Sequence, residues 1–328
     1  MPVPIKTGTV LRNRYQFKKI IGQGGMGSIY LSEDLRLEGR LCAIKEVGYD
    51  RALPNAMLKE AREQFQREAT VLARLDHPNL PKVSDFFSIQ DRDYLVMDFV
   101  PGKDLRETMI EARQKKVFLP EEKVLDWAGQ LASALKYLHT QDPPIVHRDI
   151  KPSNLKITPN GLLKLVDFGL VKMLAPGEVT ITILQGQGTA LYTPLEQYGG
   201  DTGHTDARSD IYAFGGTLYH LLTNQPPANV RDRFLNPGHL SKIREINPSV
   251  STRTERAVHW ALALHPEDRP KDIDALTKAL FYEDAPITQP YHSNHRQPKP
   301  IQIPEKILIA VAGSLMVLSL LLTLINNI

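Results

Sequence analysis

The chain reads as an α+β protein with one apolar helix at its C-terminal end. Three observations predict this. A glycine cluster at 22–27 lies between β-prone runs, the pattern of strand–turn–strand. Apolar residues then recur at helical spacing, first at Phe65, Ala69, Leu72 and Leu75 and later around Trp127 and Trp260. Finally, the stretch from Ile307 to Ile328 carries no charge at all. The 328 residues hold 40 Lys and Arg against 37 Asp and Glu, a net charge of +3, and 42% are apolar. That composition suits a folded body of substantial core. It lacks the concentrated basic face that nucleic acid requires, so no nucleic-acid partner is expected. A single cysteine, Cys42, excludes an intramolecular disulfide and a cysteine-rich zinc site.

Taken in order, the N-terminal stretch MPVPIKTGTVLRNRYQF has no apolar core of roughly 7–15 residues, so no secretory leader is expected. From Tyr15, the run YQFKKIIGQGGMGSIYLSED supplies G-x-G-x-x-G at Gly22, Gly24 and Gly27. Glycines let a backbone approach a phosphate and adopt positive φ without a Cβ penalty. Such spacing also opens dinucleotide-binding helices and ordinary turns. Here the run Ser28 to Leu31 after the glycines is strand-like, where a dinucleotide site needs a helix. The segment LCAIK then puts Lys45 at the end of a β-prone run, a place where a solvated strand end is also common.

A helix is predicted from about Pro54 to Leu75, stopped by Asp76-His77-Pro78-Asn79. Glu68 lies beside its apolar stripe and is a candidate partner for Lys45, with Glu60 and Glu63 as competitors. Lys59, Arg62, Arg67 and Arg74 read as a solvated face, and Trp127 and Trp260 as core residues.

The segment IVHRDIKPSNLKITPNGLLKLVDFGL carries the densest chemistry. It sets His147, Arg148, Asp149, Lys151 and Asn154 close together, then Asp167-Phe168-Gly169 beyond a turn at Pro159-Asn160-Gly161. Asp149 can take a proton from an attacking hydroxyl. Asn154 and Asp167 are hard oxygen donors of the kind Mg²⁺ accepts alongside substrate phosphates. With the glycine turn and Lys45, these are the parts phosphoryl transfer needs.

Through GQGGMGSIY, CAIK, HRDIKPSN and DFG the chain resembles the eukaryotic-like (Hanks-type) serine/threonine protein kinases of bacteria, over roughly residues 9–282. The resemblance implies a two-lobed kinase fold. Its β-rich N-lobe with one regulatory helix would cover 1–97, and the hinge and mainly helical C-lobe 98–282. It implies ATP with Mg²⁺, or alternatively Mn²⁺, as cofactors, and Ser/Thr hydroxyls of proteins as acceptors. Ile21, Gly22, Gln23, Gly24, Gly25, Met26 and Gly27 would cover the phosphates, and Ile29, Ala43 and Leu155 would enclose the adenine. Met97 would be the gatekeeper, Asp98 and Val100 would offer backbone groups, and Asp104 would reach the ribose. Lys45, Glu68, Asp149 and Lys151 would carry catalysis, with Asn154 and Asp167 on the metal.

Thr193-Pro194-Leu195-Glu196 resembles the end of an activation segment, with Leu195 where the family has proline, and Arg269 resembles the partner of its glutamate. Asp210, in ARSDIYAFG, resembles the anchor of the catalytic loop. Lys151 together with Thr189 resembles the serine/threonine branch. Arg148 would be quenched by a phosphorylated Thr180 or Thr182, placed there by autophosphorylation, for which a homodimer acting in trans is the implied arrangement. A pseudokinase scaffold on the membrane is the alternative, but its mark would be a lost lysine, base or metal ligand, and all are present. A small-molecule kinase is disfavoured by the complete segment from Asp167 to Glu196.

Beyond the body, 283–304 is punctuated by Pro286, Pro290, Pro298, Pro300 and Pro304 and reads as a semi-extended linker. As a helix, the 22 residues from Ile307 would span about 33 Å, close to the ~30 Å hydrocarbon core of a bilayer. A single transmembrane helix is therefore expected within 305–328. His292, His295, Arg296, Lys299 and Lys306 precede it and fit a cytoplasmic catalytic body on a tail-anchored plasma-membrane protein.

Overall fold

The computed structural model describes residues 5–24, 27–49, 54–167, 172–173, 190–197 and 205–282. The chain divides into Met1–Ile287 and Thr288–Ile328. The second unit, with the expected spanning helix and most of the expected linker, lies outside the described residues. Among the described residues no helix is long and apolar enough to cross a membrane.

The N-terminal lobe is one antiparallel sheet. Its strands are β1 (Val10–Leu11), β2 (Tyr15–Gly24), β3 (Gly27–Asp34), β4 (Leu41–Gly48), β5 (Val83–Ile89) and β6 (Arg92–Asp98), ordered β1-β2-β3-β4-β6-β5. Period-two alternation along β4 decides what each face holds. Ala43, Lys45 and Val47 face one way. Ala43 and Val47 join α1 (Asn55–Arg74), which buries Phe65, Ala69 and Leu72, in the main core. Cys42 and Ile44 face the other way, into a second core with Tyr15, Phe17, Tyr30, Phe87, Tyr94 and Val96. There the Phe17 and Tyr30 rings stack with centroids 4.5 Å apart. Glu46 is buried beside this cluster, accepting from the Tyr30 hydroxyl at 2.8 Å and pairing with Arg92. Arg62 is no merely solvated residue, as expected for its helix face: it lies over the Tyr49 ring and bonds Asp91 at 3.1 Å.

Past the hinge, β7 (Lys103–Asp104) pairs with β9 (Leu155–Ile157), which pairs with β10 (Leu163–Leu165). β8 (Ile145–Val146) pairs with β11 (Lys172–Met173). α2 (Leu105–Gln114) starts from a capping box between Asp104 and Glu107. α3 (Glu121–His139) buries Val124, Trp127, Leu131, Leu135 and Leu138. α4 (Ala207–Thr223) is buried nearly all round, as a helix without a polar face must be. A Cβ on its Gly215 would stand 2.8 Å from that of Ala261 in α7 (Thr252–Ala261), so glycine sets that close approach. The short helices α5 (Val230–Leu235) and α6 (Ile243–Ile246), with α8 (Ile273–Phe281), complete the helical lobe.

Candidate active site

The catalytic-loop side of the site is organised by one buried acid. Asp210, in the first turn of α4, accepts hydrogen bonds from the backbone N–H of His147 at 2.8 Å and of Arg148 at 2.7 Å. A third comes from His139 Nε2 at 2.9 Å. Burial opposes its charge, but the His139 hydrogen bond and charge, with His147 and the Arg148 amide, hold its carboxyl below the usual range. The backbone bends sharply here: Arg148 and Asp167 sit in the left-handed region at φ 66° and 60°. Non-glycine residues in that region mark places where the surroundings overrule local preference.

Asp149 is buried and held from two sides. Lys151 Nζ donates to its two carboxylate oxygens at 2.8 and 2.9 Å. Asn154 Nδ2 donates at 2.8 Å both to the Asp149 carbonyl and to its Oδ2. The Asn154 carbonyl in turn accepts from Val166 N–H at 2.8 Å, which sets Asp167 next to the loop. Asn79, in the expected helix-stopping turn, accepts from Leu165 N–H at 2.8 Å and donates to the Leu163 carbonyl at 2.8 Å.

From the other lobe, Lys45 Nζ pairs with Asp167 Oδ1. Burial pushes the Asp167 carboxyl up, but the Lys45 charge and hydrogen bond, with Lys151 and His147, leave it below the usual range. Of the three candidate helix acids, Glu68 alone is buried; Glu60 and Glu63 are exposed, and Glu63 lies 3.9 Å from Lys59. Glu68 accepts from Gln64 Nε2 at 2.9 Å, and its charge reaches Arg148. Burial pushes the Arg148 guanidinium down to about 10, against the pull of Asp210 and Glu68. Its Nε is buried with no hydrogen-bond partner among the described residues.

The residues expected to enclose a base come together: Ala43, Met97 and Leu155 share one apolar cluster, and Ile29 packs against it. Asp98 N–H is taken by the Lys82 carbonyl at 2.9 Å, and Val100 is buried. Asp104 Oδ1 is spent on capping α2, accepting from Glu107 N–H at 2.8 Å. Ile21, Gly22, Gln23 and Gly24 lie on β2 and Gly27 opens β3, while Gly25 and Met26 lie outside the described residues. Gly27 has a steric reason as well: a Cβ there would stand 1.9 Å from the Glu46 carbonyl oxygen, at φ 153°. Thr180, Thr182 and Thr189 also lie outside the described residues.

The residues fit a divalent cation. With its Nδ2 committed to Asp149, the Asn154 amide turns its oxygen away from that carboxylate. Asp167 binds Lys45 through Oδ1, so among the described residues Oδ2 is left as a second hard donor. Mg²⁺ commonly takes one or two protein oxygens and fills its octahedron with phosphate and water. Among the described residues no cluster of three or more His, Cys, Asp or Glu offers an all-protein metal site.

At the far end of the segment, Arg269 forks onto Glu196 at 2.7 and 3.0 Å, and Ser209 Oγ adds a bond at 2.8 Å. This is the pairing the motifs imply. Two partnerships were not legible from motifs: His139 on Asp210, and the Tyr192 hydroxyl 2.6 Å from His220 Nδ1. The only available signal was the presence of histidines near helix ends.

Asp149 held by Lys151 and Asn154 within one loop, Asp167 beside it and a lysine reaching it from the other lobe, set between a β-rich and a helical lobe, define the protein kinase class. Residues 15–281 match the protein kinase domain family, and the chain belongs to that family, in its bacterial Hanks-type serine/threonine branch. It is 32% identical over 279 residues to a probable serine/threonine-protein kinase PknB of Lactococcus lactis, covering 83% of this chain and 42% of the relative. It is 34% identical over 287 residues to the serine/threonine-protein kinase PrkC of Bacillus subtilis, covering 84% and 42%. The chain thus spans about two-fifths of the length of these curated relatives. Among solved structures, the apo form of PpkA-294 aligns with a TM-score of 0.67 at 28% identity, over 84% of this chain and 99% of that one. The PknI kinase domain of Mycobacterium tuberculosis aligns with a TM-score of 0.64 at 27% identity, over 84% and 98%.

Proposed function

We propose that the chain is an ATP- and Mg²⁺-dependent protein serine/threonine kinase. The carrying observation is that Lys151 and Asn154 hold the Asp149 carboxylate while Asp167, paired with Lys45, stands beside the same loop. When bound, ATP with its divalent cation supplies the phosphoryl group and the charge neutralisation at its oxygens. The Asp149 carboxylate accepts the proton of a Ser or Thr hydroxyl, and Lys151 adds a cation next to it. Asn154 and Asp167 would hold the cation through their side-chain oxygens. Lys45 lies at the nucleotide side, with Glu68 as the buried helix acid. Ile29, Ala43, Met97 and Leu155 would receive the base, with the Asp98 and Val100 backbone at its edge and Asp104 near the ribose.

Three finer readings extend this one. The apolar run 307–328 supports a membrane-tethered catalytic body, cytoplasmic by the basic residues before the run. The buried Arg148 Nε, without a hydrogen-bond partner among the described residues, supports control by phosphate on Thr180 or Thr182, added in trans within a homodimer. Lys151 and Thr189 support the Ser/Thr acceptor class.

The test is transfer of labelled γ-phosphate to a generic protein acceptor. Asp149→Asn and Asp167→Asn should each lose at least about a hundredfold in rate. Wild-type transfer by Asp149→Asn would refute the assignment of the base. Membrane fractionation of the full chain, and peptide mapping after Mg-ATP treatment, check the tether and the phosphosites.

A further inference from the structure

α2 segregates its charges. Arg106 and Arg113 are seven residues apart, and Ile110 lies between them, so all three share one flank of the helix. The helix's acids, Glu107 and Glu111, fall on the neighbouring flank, and both are occupied. Glu107 closes the capping box, and Glu111 pairs with Lys103. Arg106 and Arg113 are exposed, and neither has an ion-pair partner among the described residues. Ile110 is 46% exposed, an uncovered apolar side chain between two cations.

The flank continues past the helix. Lys116 adopts φ 56°, and the N–H groups of Lys116 and Val117 bond back to the Arg113 and Ala112 carbonyls at 3.0 Å. That closure folds the chain onto its own last turn. It leaves Val117 51% and Phe118 40% exposed at the end of the stripe.

What the flank borders gives it meaning. The charge of Arg106 reaches Tyr192 and that of Arg113 reaches His220. Tyr192 and His220 are the hydrogen-bonded pair at the end of the segment that leads to Glu196. Asn224, which caps α4, donates to the Val117 carbonyl at 3.0 Å, so the end of the stripe meets the C-terminal end of α4. The inner side of α2 packs on the turn Pro152–Asn154 that holds Asp149. The basic and apolar strip thus lies on the helix whose inner side backs the turn that holds Asp149.

We infer that this flank of α2 is a docking strip for acidic segments of the protein substrate and selects acceptors flanked by Asp or Glu, an inference that rests on the kinase reading above. Seven helical residues cover about 10 Å, the length of about three residues of extended chain. In a polyproline II segment, whose side chains return to the same face every third residue over about 9 Å, two carboxylates three residues apart would meet Arg106 and Arg113, with an apolar residue between them beside Ile110. Arginine favours carboxylates because its fork bonds both oxygens. Position beside Asp149 favours a polypeptide over an anionic membrane surface as the occupant.

The experiment uses the full chain in detergent and matched Ser peptides. One carries two Glu three residues apart with Leu between them, and the other carries Lys in place of Glu. We expect the Glu peptide to bind about tenfold more tightly by fluorescence anisotropy and to show a correspondingly lower KM. The Arg106→Glu/Arg113→Glu double variant should lose or invert that preference, while KM for ATP moves less than about twofold. Arg106→Lys/Arg113→Lys should retain part of it. Equal binding of the two peptides, or an unchanged preference in the double variant, would overturn the strip. So would a double variant whose defect appears only with phosphatidylglycerol vesicles and not with peptide. Selective binding of the Glu peptide without phosphate transfer to any peptide would leave the strip standing and defeat the kinase reading instead.

Discussion

The catalytic-loop side of the site and its nucleotide side are built on different plans. On the loop side, the backbone amides of His147 and Arg148 converge on Asp210, and Asp149 is held by Lys151 and Asn154 from within its own loop. On the nucleotide side, Lys45 reaches Asp167, 122 residues away, across the junction of two lobes. One is a short loop whose geometry is enforced by burial. The other depends on a sheet and a helical lobe meeting. On the proposed reading, the lesson is that the proton acceptor is pre-organised locally, whereas the residues proposed to meet the phosphates are brought together by the whole fold.

Asp210→Ala should break this comparison most severely. It orphans the His147 and Arg148 N–H groups and the His139 contact, so a loss of about 3–5 kcal/mol in stability is expected, read by thermal or urea unfolding. A stable, active Asp210→Ala protein would mean that the loop is held by something else. On the nucleotide side, Gly27→Ala should cost about 1–3 kcal/mol, since the new methyl collides with the Glu46 carbonyl at a backbone angle alanine avoids. Lys45→Met should cost about 1 kcal/mol or less, because the ion pair with Asp167 is partly solvated, and yet abolish ATP turnover. A large fall in melting temperature for Lys45→Met would show that the lobes depend on this pair, and the contrast would fail.

The smallest effect is a pH slope at the edge of the site. Burial, reinforced by Arg113, pushes the His220 imidazole down from 6.5 to about 4. A depressed pKa means that the unfolded chain takes up this proton first as pH falls. The contribution of neutral His220 is therefore fully present above about pH 6.5 and is lost on acidification toward about pH 4. The melting temperature of His220→Asn should vary less than that of wild type over that window. Parallel curves would show that His220 is not buried against Tyr192 as described.

Much of the site was legible because its chemistry is compressed in sequence. His147 to Asn154 could be assigned as a group because base, lysine and amide are all needed within one loop. Glu68 was harder. Spacing left Glu60 and Glu63 as rivals, and only the buried face of α1 separates them. Asp104 shows the opposite case: the motif assigns it to a ribose, and the structure shows its carboxylate capping α2 in a box completed by Glu107. Arg62 looked solvated because periodicity reports which face a residue is on, not which ring or acid lies across from that face.

The amino-acid sequence by itself determined the strand–turn–strand around the glycines, the amphipathic α1, the catalytic loop and the family. Each is a local pattern of residue type and spacing, and local patterns survive without coordinates. Only the tertiary structure decided that Lys45 pairs with Asp167, that His139 joins the backbone amides on Asp210, and that Arg269 forks onto Glu196. These are contacts between residues tens to hundreds of positions apart. Their partners are chosen by which surfaces the buried core brings together, and no spacing along the chain encodes that choice.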